Sequence, residues 1–210
     1  DLEVYTNMFC ERYDEFVKAL EKRRFLVHSA ATAAEAKELG ISLIGGGSVG
    51  FGGSVTVTEL GLYETLQENG NAVYWHWKSD DPGKAQASAA HADWFVCSTN
   101  AVTRDGRLVN IDGTGNRVAG MFAGPKKIIL FIGKNKLVEG GLDEAIARIK
   151  RVACPANGRR LNTNTPCALT GECTDCASPR RMCKITSIIE YPPNLLSELH
   201  LVLIDEELGY

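Results

Sequence analysis

Strand and helix signals alternate through the first 150 residues of the sequence, and that alternation narrows the fold more than any other feature. Short apolar runs such as Ile128 to Ile132 have strand length, and between them apolar residues recur three and four apart. A chain built this way lays its strands side by side in parallel and packs the connecting helices on the sheet faces. The expectation is an α/β fold with a mainly parallel sheet flanked by helices. Ligands in such sheets bind outside the carboxyl ends of the strands. Loops that follow strands are therefore where a site is sought.

Residues 6–23 read as an amphipathic helix carrying Phe9, Tyr13, Phe16, Val17 and Leu20. Phe25 to Ser29 reads as a strand, and Thr32 as the cap of a helix through Ala34, Ala36 and Leu39. Ser48 to Phe51 reads as a strand running into Gly52-Gly53-Ser54. A helix from Thr56 to Glu68 follows, opened by the capping box Thr56-Val57-Thr58-Glu59 and closed by Gly70. Strands are expected at Ala72 to Trp75, Trp94 to Ser98 and Lys127 to Ile132, with a weak helix at Gly83 to His91. Ala101-Val102-Thr103 and Leu108 to Ile111 flank Arg104-Asp105-Gly106-Arg107, where Asp-Gly signals a type I′ hairpin turn. A short helix through Val118 and Met121, a helix at Leu142 to Val152, and strands at Ile185 to Glu190 and Leu199 to Ile204 complete the expectation.

The 210 residues suit one domain, 1–210, with a cysteine-rich segment at 154–184. A hydrophobic share of 44% against 23% charged residues supports a sizeable core and argues against disorder. The net charge is −3, and the pairs Arg159-Arg160 and Arg180-Arg181 are too small to make a nucleic-acid surface. No apolar run approaches the roughly 20 residues of a membrane helix, and no basic-then-apolar leader opens the sequence. The expectation is a cytoplasmic protein without membrane or nucleic-acid partners. An odd count of seven cysteines argues against a secreted disulfide framework.

Two glycine-rich loops carry the first chemical signal. In Gly52-Gly53-Ser54, glycines permit close approach to a ligand, and Ser54 and Thr56 add hydroxyl donors. The alternative is a tight turn in which Ser54 or Thr56 merely caps the helix. The second loop, Asp112-Gly113-Thr114-Gly115-Asn116-Arg117, adds a guanidinium fork suited to carboxylate or phosphate. There the alternative is that Asn116 caps a helix and Arg117 faces solvent. Ser98-Thr99-Asn100 ends a strand and either projects into a pocket or forms an ordinary turn. Gly45-Gly46-Gly47-Ser48-Val49-Gly50 matches G-x-G-x-x-G, yet it precedes a strand instead of following one, so no nicotinamide site is inferred. No flavin motif is present either. His28, His76 and His91 lack ligand spacing, and Cys97 in its apolar strand reads as buried and inert.

The second signal is Cys167, Cys173, Cys176 and Cys183, spaced C-x5-C-x2-C-x6-C in a loop-like stretch with Pro166, Gly171 and Pro179. Four thiolates close a zinc site or hold an iron–sulfur cluster, and residue types alone do not choose between them. Unligated thiols and a Cys173–Cys176 disulfide are the alternatives, with Cys154 as a spare ligand.

Several stretches together resemble the LUD-domain (lactate-utilization, DUF162) family, in a short bacterial branch. They are Ser48 to Thr56 with Glu59 and Gly61, Thr99 to Thr103, Asn110 to Ala119, Gly124-Pro125-Lys126-Lys127, Gly133-Lys134-Asn135-Lys136, the cysteine segment, and Asp205 to Tyr210. The resemblance implies a fold similar to the sugar-phosphate isomerase and CoA-transferase superfamily. It implies a link to oxidation of lactate to pyruvate beside an iron–sulfur protein partner. It also gives the two loops an anionic ligand, a small carboxylate or a phosphorylated anion. On that reading Gly52, Gly53, Ser54, Thr56, Thr99, Asn100, Gly113, Thr114, Gly115, Asn116 and Arg117 bind the ligand, and Glu59 or Asp112 is the candidate general base. A different class of reading is a redox or assembly subunit that uses the four-cysteine metal for electron transfer or docking. A third is a sensor or scaffold stapled by zinc. Whether the chain is itself an enzyme, and whether it forms a homo-oligomer, stay open in the sequence.

Overall fold

The computed structural model describes residues 13–210. Phe9 of the expected first helix and Cys10, one of the seven cysteines, lie outside the described residues. Helix α1 covers 13–22 within them. The chain then alternates: β1 (Leu26–Ala30), α2 (Ala33–Ile44), β2 (Ser48–Phe51), α3 (Val55–Leu60), α4 (Leu62–Glu68), β3 (Ala72–Trp75), α5 (Pro82–Ala89) and β4 (Trp94–Cys97). A hairpin of β5 (Ala101–Thr103) and β6 (Leu108–Asp112) leads to α6 (Asn116–Ala123), β7 (Lys127–Gly133), a 3-10 turn at Lys134–Lys136 and β8 (Leu137–Val138). The last part holds α7 (Leu142–Arg148), a π-helical turn (Ile149–Ala153), α8 (Cys154–Arg160), α9 (Pro166–Thr170), β9 (Ile185–Ile189) and β10 (Glu198–Ile204).

Six strands form an all-parallel sheet in the order β1-β10-β7-β4-β2-β3. The α/β fold expected from the alternation is present, with helices on both faces. The two central strands explain why both faces are covered. In β7, Ile128, Leu130 and Ile132 enter one core with Phe16, Leu20, Leu199, Leu201 and Leu203. The alternate residues Ile129 and Phe131 enter a second core with Leu62, Leu66, Val202 and Ile204. Side chains alternate across a strand, so an unbroken apolar run is stable only when water is excluded from both sides.

The hairpin belongs to a second sheet, ordered β8-β5-β6-β9. There Ala101, Val109 and Ile111 pack on Ala145, Ile149 and Ala153. Three expectations need correction. The helix expected from Thr56 to Glu68 is two helices, broken where Gly61 takes φ 61°. Its cap is Ser54, whose hydroxyl accepts from the Val57 N–H, and no box forms at Thr56. In the hairpin turn only Gly106 has a positive φ, 84°, so the turn is not type I′, which needs two such residues. The helix expected at Leu142 to Val152 continues through the π turn to Arg160. No helix among the described residues is long and apolar enough to cross a membrane.

Candidate functional site

The carboxyl ends of β2, β3, β4 and β7 open on one side of the large sheet, and the loops leaving them wall a cleft of about 260 Å³. From β2 come Gly53, Ser54 and Thr56; from β3, His76 and Trp77; from β4, Ser98, Thr99 and Asn100. The second glycine loop closes another wall with Asp112, Gly113, Thr114, Asn116 and Arg117. Helix α8 supplies Cys154, Asn157 and Arg160, and Tyr210 reaches in from the chain end. Two loops some sixty residues apart in sequence thus face one another.

Most residues singled out from the sequence therefore meet, but their local roles differ. Gly52 lies beneath the cleft: a Cβ there would sit 2.7 Å from Cys97 Sγ. Gly115 adopts φ 90° at the cap of α6 and does not face the cleft. Arg117 is buried in the wall, and all five of its N–H groups have acceptors within the protein. Nε donates to Asp112 Oδ2 (3.3 Å), Nη1 to the Ser98 carbonyl and Asn110 Oδ1, and Nη2 to Asn100 Oδ1 (2.7 Å) and the Ile111 carbonyl. Its fork orients the loops and is not presented to a ligand. Asp112 accepts at Oδ1 from the Thr114 and Gly115 amides, at 3.0 and 2.9 Å. Glu59 is exposed and accepts from the Gly209 amide at 2.7 Å. Neither carboxylate stands free as a base in this arrangement. By contrast, the side chains of Thr114 and Asn116 line the cleft and make no hydrogen bond among the described residues.

The group that sequence reasoning missed is Lys136. It follows β7 on the 3-10 turn, is 3% exposed and forms part of the cleft lining. Its Nζ donates to Thr56 Oγ1 at 2.6 Å and Ser98 Oγ at 2.8 Å. No carboxylate pairs with it among the described residues. Burial, with the Arg148 and Arg117 guanidiniums beside it, pushes its amine down to about 7. The one available signal was its place just beyond the carboxyl end of a central strand. At the mouth, the Arg160 guanidinium lies 4.4 Å over the Trp77 ring and binds Tyr210 Oη and Asn157. Burial and the nearby Arg160 lower His76, keeping it neutral near pH 7. The Arg117 and Arg160 guanidiniums against the one side-chain carboxylate of the lining, Asp112, leave this cleft a net positive charge in a chain of net charge −3, and Lys136 adds to it only when protonated.

The cysteine segment folds against the back of the same cleft. Cys154, Cys167, Cys173, Cys176 and Cys183 line one small cavity with Thr165 and Arg181. Cys154 and Met182 belong to both this cavity and the cleft. Arg181 braces the loop by donating to the Cys183 sulfur (3.3 Å), the Cys176 carbonyl and Asp175. Burial, together with Cys183, Cys167 and Cys173, pushes the Cys154 thiol up to about 12. All six cysteines among the described residues are free thiols, Cys173 and Cys176 included. No three or more His, Cys, Asp or Glu among the described residues are drawn into single-ion geometry. Cys97 is fully buried, and burial raises its thiol to about 11, which leaves it unreactive.

The sequence matches the LUD domain over residues 13–204. A solved structure of similar fold is a DUF162 family protein from Deinococcus radiodurans. It shares 13% identity at a TM-score of 0.56, over 93% of this chain and 97% of that one. No curated protein matches the chain.

Proposed function

This chain belongs to the LUD-domain family, and from that membership we propose that it is a lactate-utilization protein whose cleft binds a small carboxylate or phosphorylated anion. One observation carries the reading: both glycine loops, two guanidiniums and the Lys136 amine meet in one cleft whose lining holds a single side-chain carboxylate. A partly enclosed cleft focuses that field and raises the local concentration of anions. Thr114 and Asn116 supply uncommitted side-chain donors and Arg160 its Nη1, with Gly53 and Gly113 in the lining, where Trp77 and Met182 pack against them. Arg117 and Asp112 hold the loops in register without touching the ligand. The proposed setting is oxidation of lactate to pyruvate. Removal of hydride from lactate needs an electron acceptor, and an iron–sulfur protein partner would supply one.

The test is a melting series with L-lactate, pyruvate and inorganic phosphate. A ligand at about a hundred times its dissociation constant stabilises by about 2.7 kcal/mol, a rise of roughly 5–10 °C for a chain of this size. At least one anion is expected to produce it, and Asn116→Leu to reduce it. If none of the three shifts the melting temperature, the reading fails.

The five thiols around one cavity favour a second reading, a metal held by Cys167, Cys173, Cys176 and Cys183 with Cys154 as a spare ligand. The donor set suits a thiophilic metal, zinc or an iron–sulfur cluster. The Arg181 contact to sulfur would stabilise thiolate charge. The thiols would have to close in further, and metal binding orders such loops. Iron, sulfide and zinc are to be counted on protein purified without oxygen. One zinc or one cluster per chain, lost in Cys173→Ser, supports the metal; metal-free protein after reconstitution removes it.

A further inference from the structure

Lys136 costs the fold more than its two hydrogen bonds require. A buried ammonium without a carboxylate partner is strongly disfavoured, and a hydroxyl or amide side chain would bridge Thr56 and Ser98 at less cost. The charged and titratable groups around it are Arg117 from α6, Arg148 from α7, Glu59 from α3 and Cys97 from β4. The two guanidiniums oppose its protonation; Glu59 is exposed and bound to the tail, and Cys97 stays a neutral thiol. A neutral amine fits the geometry. Thr56 Oγ1 and Ser98 Oγ accept its two N–H bonds, leaving the lone pair as the remaining direction. An ammonium would carry a third N–H with no acceptor among the described residues. Desolvation beside other cations is a recognised way to make a lysine nucleophilic at neutral pH.

We propose that Lys136 is a nucleophile that forms a reversible imine with the carbonyl carbon of a small 2-oxo acid held in the cleft. This rests on the reading of the cleft as a carboxylate site. The amine adds to the carbonyl carbon, the C–O bond breaks, and the oxygen leaves as water with the two amine protons. Nothing is oxidised or reduced. The Thr56 and Ser98 hydroxyls lie where protons must pass between nitrogen and departing oxygen.

The full chain is incubated with pyruvate and sodium borohydride, which reduces an imine to a stable secondary amine, and the adduct is located by peptide mass mapping. Binding of pyruvate is measured in parallel by calorimetry. One adduct per chain, on Lys136, is expected. An amine held near 7 has a free fraction roughly a thousand times that of an ordinary lysine at pH 7. Trapping should fall about tenfold for each pH unit well below 7. Lys136→Met, which keeps the position uncharged and cannot form the adduct, should lose it. The wild-type map decides the question even if a variant fails to fold. Binding of pyruvate without an adduct on Lys136, or adducts spread over surface lysines, overturns the imine and leaves the anion site standing. Absence of both binding and adduct also overturns it, and the anion site then depends on the melting series.

Discussion

Arg117 and Lys136 sit close together, both buried and both basic side chains, yet their surroundings assign them opposite duties. Arg117 has an acceptor for every donor and Asp112 as counter-charge. Removing it leaves a carboxylate buried and unpaired, so Arg117→Ala is expected to cost on the order of 3–5 kcal/mol in urea unfolding. Arg117→Lys should recover little, because one ammonium cannot replace a planar fork with five donors. Lys136 has no counter-charge. Its amine is held at about 7 in the fold, against an ordinary value of 10.5. Between those values the unfolded chain binds the extra proton, so this lysine's penalty is absent above about 10.5, grows as pH falls and is complete below about 7. Lys136→Met is therefore expected to gain stability relative to wild type as pH drops from about 10 to about 6, by on the order of a few kcal/mol. Unfolding curves of both proteins across that range check it; a constant difference would show that Lys136 is not held neutral.

At the scale of elements, the loop after β2 depends on close packing beneath it. A Cβ on Gly52 would meet Cys97 Sγ at 2.7 Å and Phe95 at 3.0 Å, both buried. Gly52→Ala should destabilise by about 1–3 kcal/mol through overpacking, seen as a lower urea midpoint. The strands that frame the cleft were legible in the sequence because β2, β4 and β7 are short apolar runs next to glycine or polar residues. The break between α3 and α4 was not, because the apolar spacing runs on through Gly61 and only its left-handed φ separates the helices. The glycine loops were legible as loops. Asp112 occupying the Thr114 and Gly115 amides was not, since an aspartate before two glycines reads equally as base or turn former. Lys136 escaped notice because Lys134 and Lys136 look alike in sequence, while one is part-exposed beside Asp205 and the other is buried.

The whole molecule gathers its two chemical features on one side. The cleft lies at the carboxyl ends of the parallel strands, and the thiol-lined cavity lies behind its wall, with Cys154 and Met182 common to both. In the sequence the two glycine loops precede Cys167 by about a hundred and ten and about fifty residues, and the pairing of β9 with β6 sets Ile185, just after the cysteine segment, beside Asp112. An anion in the cleft and a metal behind it would each feel the other's charge. On the proposed function, small anions occupy this cleft and not a scatter of surface lysines. Backbone amide chemical shifts, followed by nuclear magnetic resonance while L-lactate, pyruvate or phosphate is added, test it most directly. Saturable shifts concentrated at residues 53–56, 98–100 and 113–117 are expected; absence of saturable shifts, or shifts confined to the outer surface, would rule the cleft out as the anion site.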